Sequence, residues 1–188
     1  MVQIVDASAD AAADAPVAFV LPGAGYPALA PLLYWPVGML RAAGWRVYTA
    51  SWDDADRSSP SAQHMLEHAL DKFSAEVPAL DLIVAKSLGT FALPRSVDAG
   101  IAGVWLTPLL NVPEIAAALK RADARHLVVG GTADRHWIPS ELTETGAQVH
   151  EVPGADHSLR QPDWQDSLTI QAQVFTRVAD HITSVRPA

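Results

Sequence analysis

Three residue types that can act together as nucleophile, base and orienting acid occur at three separate points of the sequence. Ser87 lies in AKSLGT, Asp134 in GGTAD and His157 in PGADHSL. A serine hydroxyl becomes a useful nucleophile only when a base removes its proton, and a histidine ring held by a carboxylate can be that base. These side chains could activate Ser87 only if the surrounding elements bring them together.

The elements around these residues are predicted to form an α/β fold. Apolar runs of strand length alternate with amphipathic runs of helical length, and the strand residues are apolar throughout. This pattern is typical of a mostly parallel, doubly wound sheet with helices on both faces. The predicted strands are 17–21, 46–52, 81–86, 101–106, 126–131 and 147–153, and VQIVD near the start could add an edge strand. The predicted helices are 31–44, 59–77, 88–99, 112–122, 138–145 and 161–183. We therefore expect six or seven strands in a single domain over residues 1–188.

The candidate residues all follow predicted strands. In sheets of this kind ligands bind beyond the carboxyl ends of the strands. Ser87, Asp134 and His157 follow three different strands, and the glycine-rich stretch PGAGYP at 22–27 follows the first apolar strand. We therefore expect all four features at one edge of the sheet.

AKSLGT at a predicted strand-to-helix turn, GGTAD after the next-but-one strand and PGADHSL after the last strand resemble motifs of the α/β-hydrolase fold family. The resemblance covers nearly the whole chain, and the order serine, aspartate, histidine is that of the family's catalytic triad. It implies a serine hydrolase in which Ser87 is the nucleophile, His157 the base and Asp134 the orienting acid. It also implies that the backbone N–H groups of Leu88 and Ala24 form the oxyanion hole. The implied reaction is cleavage of a small carboxylic ester or related acyl substrate through an acyl-enzyme.

The sequence departs from the family pattern in two places. Ala85 stands where the G-x-S-x-G turn has its first glycine, and Pro22-Gly23 stands where a His-Gly pair is usual. The chain is also short where larger relatives insert a helical cap, because only about twenty residues separate the strands 101–106 and 126–131. We therefore expect no cap domain and an open cleft.

Each motif also has a purely structural interpretation. Ser87 could cap a helix, Asp134 could lie in a surface turn, and a lone loop histidine is often solvated. The joint pattern of three residue types after three strands favours the catalytic interpretation. Asp156, next to His157, is an alternative orienting acid, although sequence neighbours reach each other's ring nitrogens poorly. Two other functions stay open: a thioesterase or acyltransferase with the same triad, and a non-catalytic binding protein on this fold.

Residues in the loops at this edge are candidates for substrate binding. Aromatic side chains there could wall a small apolar pocket. Trp52 and Trp105 lie at strand ends and are at least as well explained as core residues, whereas His136 could face the cleft. The predicted substrate contacts are Gly23, Gly25, Tyr26 and Trp137.

Other polar residues are predicted to be solvent-exposed. Lys86, before the proposed nucleophile, could favour an anionic substrate but is expected to be exposed. His64 and His68 are spaced like a metal-binding pair on a helix, but they have no evident third ligand and are expected on a solvated face. An acidic loop holds Asp53, Asp54 and Asp56 and is expected to be solvated without a cation.

Composition excludes several classes of partner. The chain has 13 Lys and Arg against 21 Asp and Glu, a net charge of −8, which disfavours nucleic acid and anionic membranes. There is no cysteine for disulfides or thiolate catalysis. PGAGYP lacks the spacing of a nucleotide-binding loop, and no cofactor or metal is predicted. The first residues carry acids where a signal peptide carries Lys or Arg, so we expect a cytoplasmic protein that acts on a small-molecule acyl substrate. The sequence does not predict the oligomeric state.

Overall fold

The computed structural model describes residues 2–8, 11–52, 59–77 and 79–187, without the side chains of 59–62. Its strands form one seven-stranded sheet. They are β1 (Val2–Asp6), β2 (Val17–Leu21), β3 (Arg46–Trp52), β4 (Leu82–Lys86), β5 (Ala102–Leu106), β6 (His126–Gly131) and β7 (Gln148–Val152). The spatial order is β1-β3-β2-β4-β5-β6-β7, and only the β1–β3 pair is antiparallel. The prediction of a mostly parallel sheet of six or seven strands is confirmed.

In the part of the chain that the structure describes, five α-helices cover both faces of this sheet. They are α1 (Pro31–Ala42), α2 (Ser59–Glu76), α3 (Leu93–Ala99), α4 (Pro113–Arg121) and α5 (Trp164–Ser184). α1 and α5 pack on one face, and α2, α3 and α4 pack on the other. The fold is therefore doubly wound, as the sequence predicts.

Burial on two faces explains why the central strands are apolar at every position. Every residue of β2, β4 and β5 is buried. Along β4, Ile83 and Ala85 join the core under α2, α3 and α4, whereas Leu82 and Val84 join the core under α1 and α5. The period-2 geometry of a strand thus divides one apolar run between two cores.

Two predicted helices differ from the observed ones. The segment predicted as a helix over 88–99 begins as a 3-10 helix, Ser87–Ala92, before α3. The segment 138–145 contains only a four-residue 3-10 helix, Pro139–Leu142. Both are short segments after strands, and 3-10 geometry is common in such short connecting pieces.

The connection between β5 and β6 holds a single helix, α4. All of its residues, 107–125, are described, and they include no inserted helical domain. The prediction of a fold without a cap is therefore confirmed.

Some predictions concern features outside this architecture. Asp53, Asp54 and Asp56 lie outside the described residues. Within the described part of the chain, no helix combines the length and the apolar character that crossing a bilayer requires. The cytoplasmic location stays a prediction.

Candidate active site

Ser87 occupies a strained backbone position directly after β4. Its φ is 52°, in the left-handed region that a residue with a Cβ rarely adopts. Thr90 Oγ1 donates a hydrogen bond of 2.5 Å to the carbonyl oxygen of Ser87 and so holds the turn. A Cβ at Gly89 would lie 2.4 Å from the carbonyl oxygen of Leu21, so only glycine lets the chain pass this close to β2. The strain and the tight packing hold Ser87 at the tip of the turn.

Ser87, His157 and Asp134 form a continuous hydrogen-bonded chain. His157 Nε2 lies 2.7 Å from Ser87 Oγ, and His157 Nδ1 lies 2.6 Å from Asp134 Oδ2. The side chain of Asp134 is fully buried, whereas that of His157 is 32% exposed. Because an ionised carboxylate only accepts hydrogen bonds, Nδ1 carries the proton and Nε2 can accept the proton of Ser87.

The local surroundings of Asp134 favour its ionised form. Burial opposes ionisation, but hydrogen bonds from the ring of His157 and from the backbone N–H of His136 outweigh it, so the pKa of Asp134 lies below its usual value. The His136 N–H is 2.9 Å from Asp134 Oδ1. One oxygen of the carboxylate is thus held by its own loop, and the other is directed at His157.

The loops that follow β6 and β7 are joined by hydrogen bonds. The N–H of Ala133 donates to the carbonyl oxygen of Ala155 at 3.0 Å, and the N–H of Gly154 donates to Thr132 Oγ1 at 2.7 Å. These bonds place Asp134 beside His157, although the two residues are 23 positions apart in the chain.

Asp156 stabilises the loop of His157 and not its ring. Asp156 Oδ1 accepts the N–H groups of Ser158 at 2.7 Å and Arg160 at 3.0 Å, and Oδ2 pairs with the Arg160 guanidinium at 3.2 Å. The acid in contact with the ring nitrogen of His157 is Asp134. Of the two candidates for the orienting acid, the structure therefore places only Asp134 against the ring.

The glycine-rich loop after β2 forms a tight turn against Ser87. Gly23 and Tyr26 exchange backbone hydrogen bonds of 3.1 and 3.4 Å, and Gly25 has a φ of 63°, as such a turn requires. A Cβ on Gly23 would lie 3.3 Å from the Cβ of Ser87. Ala24, at the exposed centre of the turn, therefore lies near the serine. Its role as an oxyanion donor stays a prediction.

Leu88 follows Ser87 as the second residue of the 3-10 helix Ser87–Ala92. The first N–H groups of a helix have no acceptor within the helix itself. The backbone N–H of Leu88 is therefore available to a ligand bound at Ser87, as the oxyanion prediction requires.

The predicted substrate contacts occupy different environments. Gly23, Gly25 and Tyr26 line a groove with half-buried Trp52, and of these residues Gly23 lies against Ser87. Trp137, in contrast, is only 6% exposed. It packs against Gly130, where a Cβ would lie 1.9 Å from its ring, and its indole N–H donates to Glu151 at 2.7 Å. This position gives Trp137 a packing role and leaves little of it open to substrate.

The prediction that Lys86 is exposed is wrong. The residue is 3% exposed, because its side chain runs beneath the glycine turn toward the face covered by α1 and α5. Its ammonium nitrogen lies 4.7 Å from the centre of the Tyr26 ring. Burial lowers the pKa of Lys86 to about 8, even though Asp134 and Asp156 attract its charge.

A second histidine, His136, lies beside His157, with ring centres 5.0 Å apart. Its Nδ1 is 2.7 Å from Asn111 Oδ1, and its Nε2 accepts a hydrogen bond from Arg135 at 3.2 Å. Burial and the neighbouring His157 lower the pKa of His136, which favours its neutral form. The sequence singled out His136 but not Asn111. The signal available for Asn111 was its position in the loop after β5, at the same edge of the sheet.

α2 carries two histidines at the spacing of a metal-binding pair. His64 and His68 are both exposed on that helix. The described residues contain no group of three or more side chains suited to holding a metal ion. The absence of a metal or cofactor stays a prediction.

Comparison with known proteins finds similarity in structure alone. No family model and no curated protein matches the sequence. The chain is similar to a serine hydrolase without a lid from Xanthomonas campestris, at 17% identity and a TM-score of 0.64, over 100% of this chain and 89% of that one. Est1E from Butyrivibrio proteoclasticus gives 12% identity and a TM-score of 0.72, over 98% and 93% of the two chains. The dienelactone hydrolase of Anabaena variabilis gives 16% and 0.65, over 100% and 99%.

The sheet order, the absence of an insertion between β5 and β6 and these similarities define the fold. The chain has the α/β-hydrolase fold without a lid domain.

Proposed function

We propose that the protein is a serine hydrolase that cleaves small carboxylic esters. The observation that carries the proposal is the contact of His157 Nε2 with Ser87 Oγ at 2.7 Å while Asp134 holds the opposite ring nitrogen. A structural serine at a helix start needs neither the strained φ nor a histidine on its hydroxyl. The naming of structural neighbours as serine hydrolases and a dienelactone hydrolase supports the same class.

In the proposed reaction Ser87 Oγ attacks the ester carbonyl carbon while its proton moves to His157 Nε2. The tetrahedral intermediate collapses, the C–O bond to the leaving alcohol breaks, and His157 returns the proton to that alcohol. Water then attacks the acyl-enzyme with His157 again acting as base, which releases the carboxylic acid and restores Ser87. Asp134 stabilises the imidazolium that forms in each half of the cycle.

The negative charge on the carbonyl oxygen requires donors that are already in place. We assign this role to the backbone N–H groups of Leu88 and Ala24, as the family resemblance implies. Leu88 begins the helix after the serine, and Ala24 lies in the turn that contacts Ser87 through Gly23. Both donors belong to the backbone, so they need no side-chain rearrangement during the reaction.

The proposed substrate is an ester with a small or extended acyl group. The groove lined by Gly23, Tyr26 and Trp52 is open, and α4 is the only helix between β5 and β6, where a lid would be inserted. A structure of Est1E is described with ferulic acid bound, which makes aryl esters such as a feruloyl ester reasonable members of a substrate panel.

A fluorophosphonate probe followed by peptide mass spectrometry tests the proposal. We expect one label, on Ser87, and hydrolysis of p-nitrophenyl esters by the same preparation. Ser87→Ala should abolish both while the circular dichroism spectrum is unchanged, and Ser140→Ala, at an exposed serine, is the control. Absence of label, or label elsewhere, contradicts the proposal. A strong preference for acyl-thioesters over oxygen esters would shift it to a thioesterase.

A further inference from the structure

Lys86 is the one residue of β4 that carries a charge, and it directly precedes the proposed nucleophile. A lysine is almost never fully buried unless another group compensates it. Lys86 is only 3% exposed. So costly a position next to Ser87 calls for a function.

The side chain of Lys86 connects the nucleophile turn to the glycine turn 23–26. A Cβ on Gly23 would be 3.2 Å from Lys86 Cδ, 3.3 Å from Ser87 Cβ and 3.3 Å from Tyr26 Cβ. The aliphatic stem of Lys86 therefore packs under the backbone of the same turn that contacts Ser87. Beyond it, the ammonium nitrogen lies 4.7 Å from the centre of the Tyr26 ring, a distance at which a cation is attracted by the ring face.

Tyr26 is itself fixed from the opposite side. Its hydroxyl accepts a hydrogen bond of 3.0 Å from the N–H of Leu32, in the first turn of α1. Its backbone closes the turn with Gly23. Burial raises the pKa of Tyr26, so the ring stays neutral and presents the same face to Lys86 across the range in which Lys86 titrates. The turn is thus anchored to α1 through the hydroxyl and to β4 through the ring.

We propose that Lys86 is a positioning residue, whose ammonium group holds the Tyr26 ring and with it the glycine turn 23–26 against Ser87. The inference rests on the proposed function, because the turn matters through the oxyanion donor assigned to Ala24. A displacement of such a donor by a fraction of an ångström weakens transition-state binding more than substrate binding.

The position of Lys86 makes the turn sensitive to alkaline pH. The groups that face this region from the surrounding loops are Tyr26 after β2, Asp134 and His136 after β6, and Asp156, His157 and Arg160 after β7. The carboxylates of Asp134 and Asp156 favour the charged form of Lys86, and burial opposes it more strongly. Loss of the proton near pH 8 removes the attraction to the Tyr26 ring and releases the turn.

The test compares the wild-type protein with Lys86→Met, which keeps the stem and removes the charge, and with Lys120→Met as a surface control. Each is assayed from pH 6 to 10 for kcat and KM on a short p-nitrophenyl ester and for the rate of fluorophosphonate labelling. We expect wild type and Lys120→Met to lose activity above about pH 8. Lys86→Met should have kcat lower by about 10- to 100-fold at pH 7, a KM within about threefold, and no decline near pH 8.

Two further variants separate positioning from a general loss of structure. Tyr26→Leu removes the ring and should reproduce the flat alkaline profile, whereas Tyr26→Phe keeps the ring face and should retain the decline. The double variant Lys86→Met/Tyr26→Leu should be no slower than the worse single variant, because both remove one contact. Thermal unfolding of each variant shows that it is folded.

The outcomes distinguish this inference from the proposed function. If the wild-type protein neither labels at Ser87 nor cleaves esters, the proposed function fails and the positioning role fails with it. If the wild type labels and turns over but Lys86→Met matches it in kcat and pH profile, only the positioning role is overturned. The positioning role is also overturned if the effects of Lys86→Met and Tyr26→Leu on kcat multiply in the double variant.

Discussion

Gly131, the last residue of β6, is in such close contact with Ala155 of the following loop that a Cβ at position 131 would lie 2.1 Å from the Ala155 carbonyl oxygen. The same oxygen accepts the N–H of Ala133, one residue before Asp134. The approach of these two backbones sets the distance between the proposed acid and the proposed base.

This contact predicts that Gly131→Ala is far more harmful to activity than an ordinary Gly→Ala change. The added methyl must push the loop of His157 away from Asp134, so we expect kcat/KM to fall about 100-fold or more. Gly38→Ala is the matched control, because a Cβ there meets nothing within 4 Å on the exposed face of α1. It should leave activity unchanged and raise stability by about 0.5–1 kcal/mol. Equal activity of the two variants would contradict the role of this contact.

Asp134→Asn should remove most activity without unfolding the protein. The amide can still accept the His136 N–H, but its NH₂ group favours the histidine tautomer that cannot take the Ser87 proton. We expect kcat to fall by about 10³–10⁴. The assay is ester hydrolysis, with circular dichroism as the folding check. A variant that keeps more than about a tenth of wild-type kcat would exclude Asp134 as the orienting acid.

The low pKa of Asp134 bears on how the activity of the proposed enzyme falls as the pH is lowered. Its carboxylate stays ionised below the usual pKa of Asp, so the orienting acid itself should add no step to the fall of activity on mild acidification. The same shift contributes stability above the pKa of Asp in the unfolded chain, and this contribution is lost as the pH falls through the lower folded value. A log–log plot of kcat/KM against pH with a slope of two on the acid side would contradict this, because it would show that a further group, such as the Asp134 carboxylate, is protonated in the same range.

Lys86→Met should make the protein more stable at neutral pH. The pKa of Lys86 is lowered from 10.5 to about 8, so between these values the unfolded chain binds more protons than the folded one. Wild-type stability therefore rises with pH in that window, and the charged lysine costs roughly 3 kcal/mol below it. The contact with Tyr26 offsets about 1 kcal/mol of this cost in the wild type, which leaves a gain of about 2 kcal/mol for the variant at pH 7.

Denaturant unfolding at pH 7 and pH 10 measures this difference. The gain in Lys86→Met should shrink at the higher pH, and Lys120→Met, on an exposed lysine, should show neither effect. A variant less stable than wild type at pH 7 would mean that the ammonium stabilises the fold, contrary to its burial.

Trp137→Phe should lower stability and spare the reaction. The change removes the hydrogen bond to Glu151 and part of the ring packed on Gly130, a loss of about 1–3 kcal/mol. We expect kcat/KM for a small ester to stay within about twofold. Trp52→Phe, in the groove that Gly23 and Tyr26 also line, is the comparison, and there KM should change while stability changes less. A specific rise in KM for Trp137→Phe would restore its predicted role in substrate contact.

The sequence pattern was enough to predict the architecture and the grouping of the three candidate residues. Apolar strands that alternate with helices specify a parallel sheet, and in such a sheet residues after different strands share one edge. Ser87, Asp134 and His157 could therefore be grouped without knowledge of any distance. The strain at Ser87 could be anticipated only from its place between a strand and a helix.

Other features depend on contacts that a pattern does not encode. Lys86 was expected in solvent because no local sequence pattern shows that the glycine turn packs over its side chain. Trp137 was predicted to contact substrate, yet its ring is buried against the backbone of Gly130, a contact that no local sequence pattern encodes. The two consecutive glycines that end β6 were the available signal, since glycine inside a strand indicates close approach of another group.

The place of β7 at the margin of the sheet has a further consequence. This strand pairs only with β6, most of its residues face solvent, and it leads into the loop of His157. Peeling of β7 from the sheet would cost little buried surface compared with global unfolding. Turnover should therefore disappear at a lower urea concentration than the fluorescence change of Trp45 and Trp105, so that catalysis reports fraying at one margin while the rest of the molecule is intact.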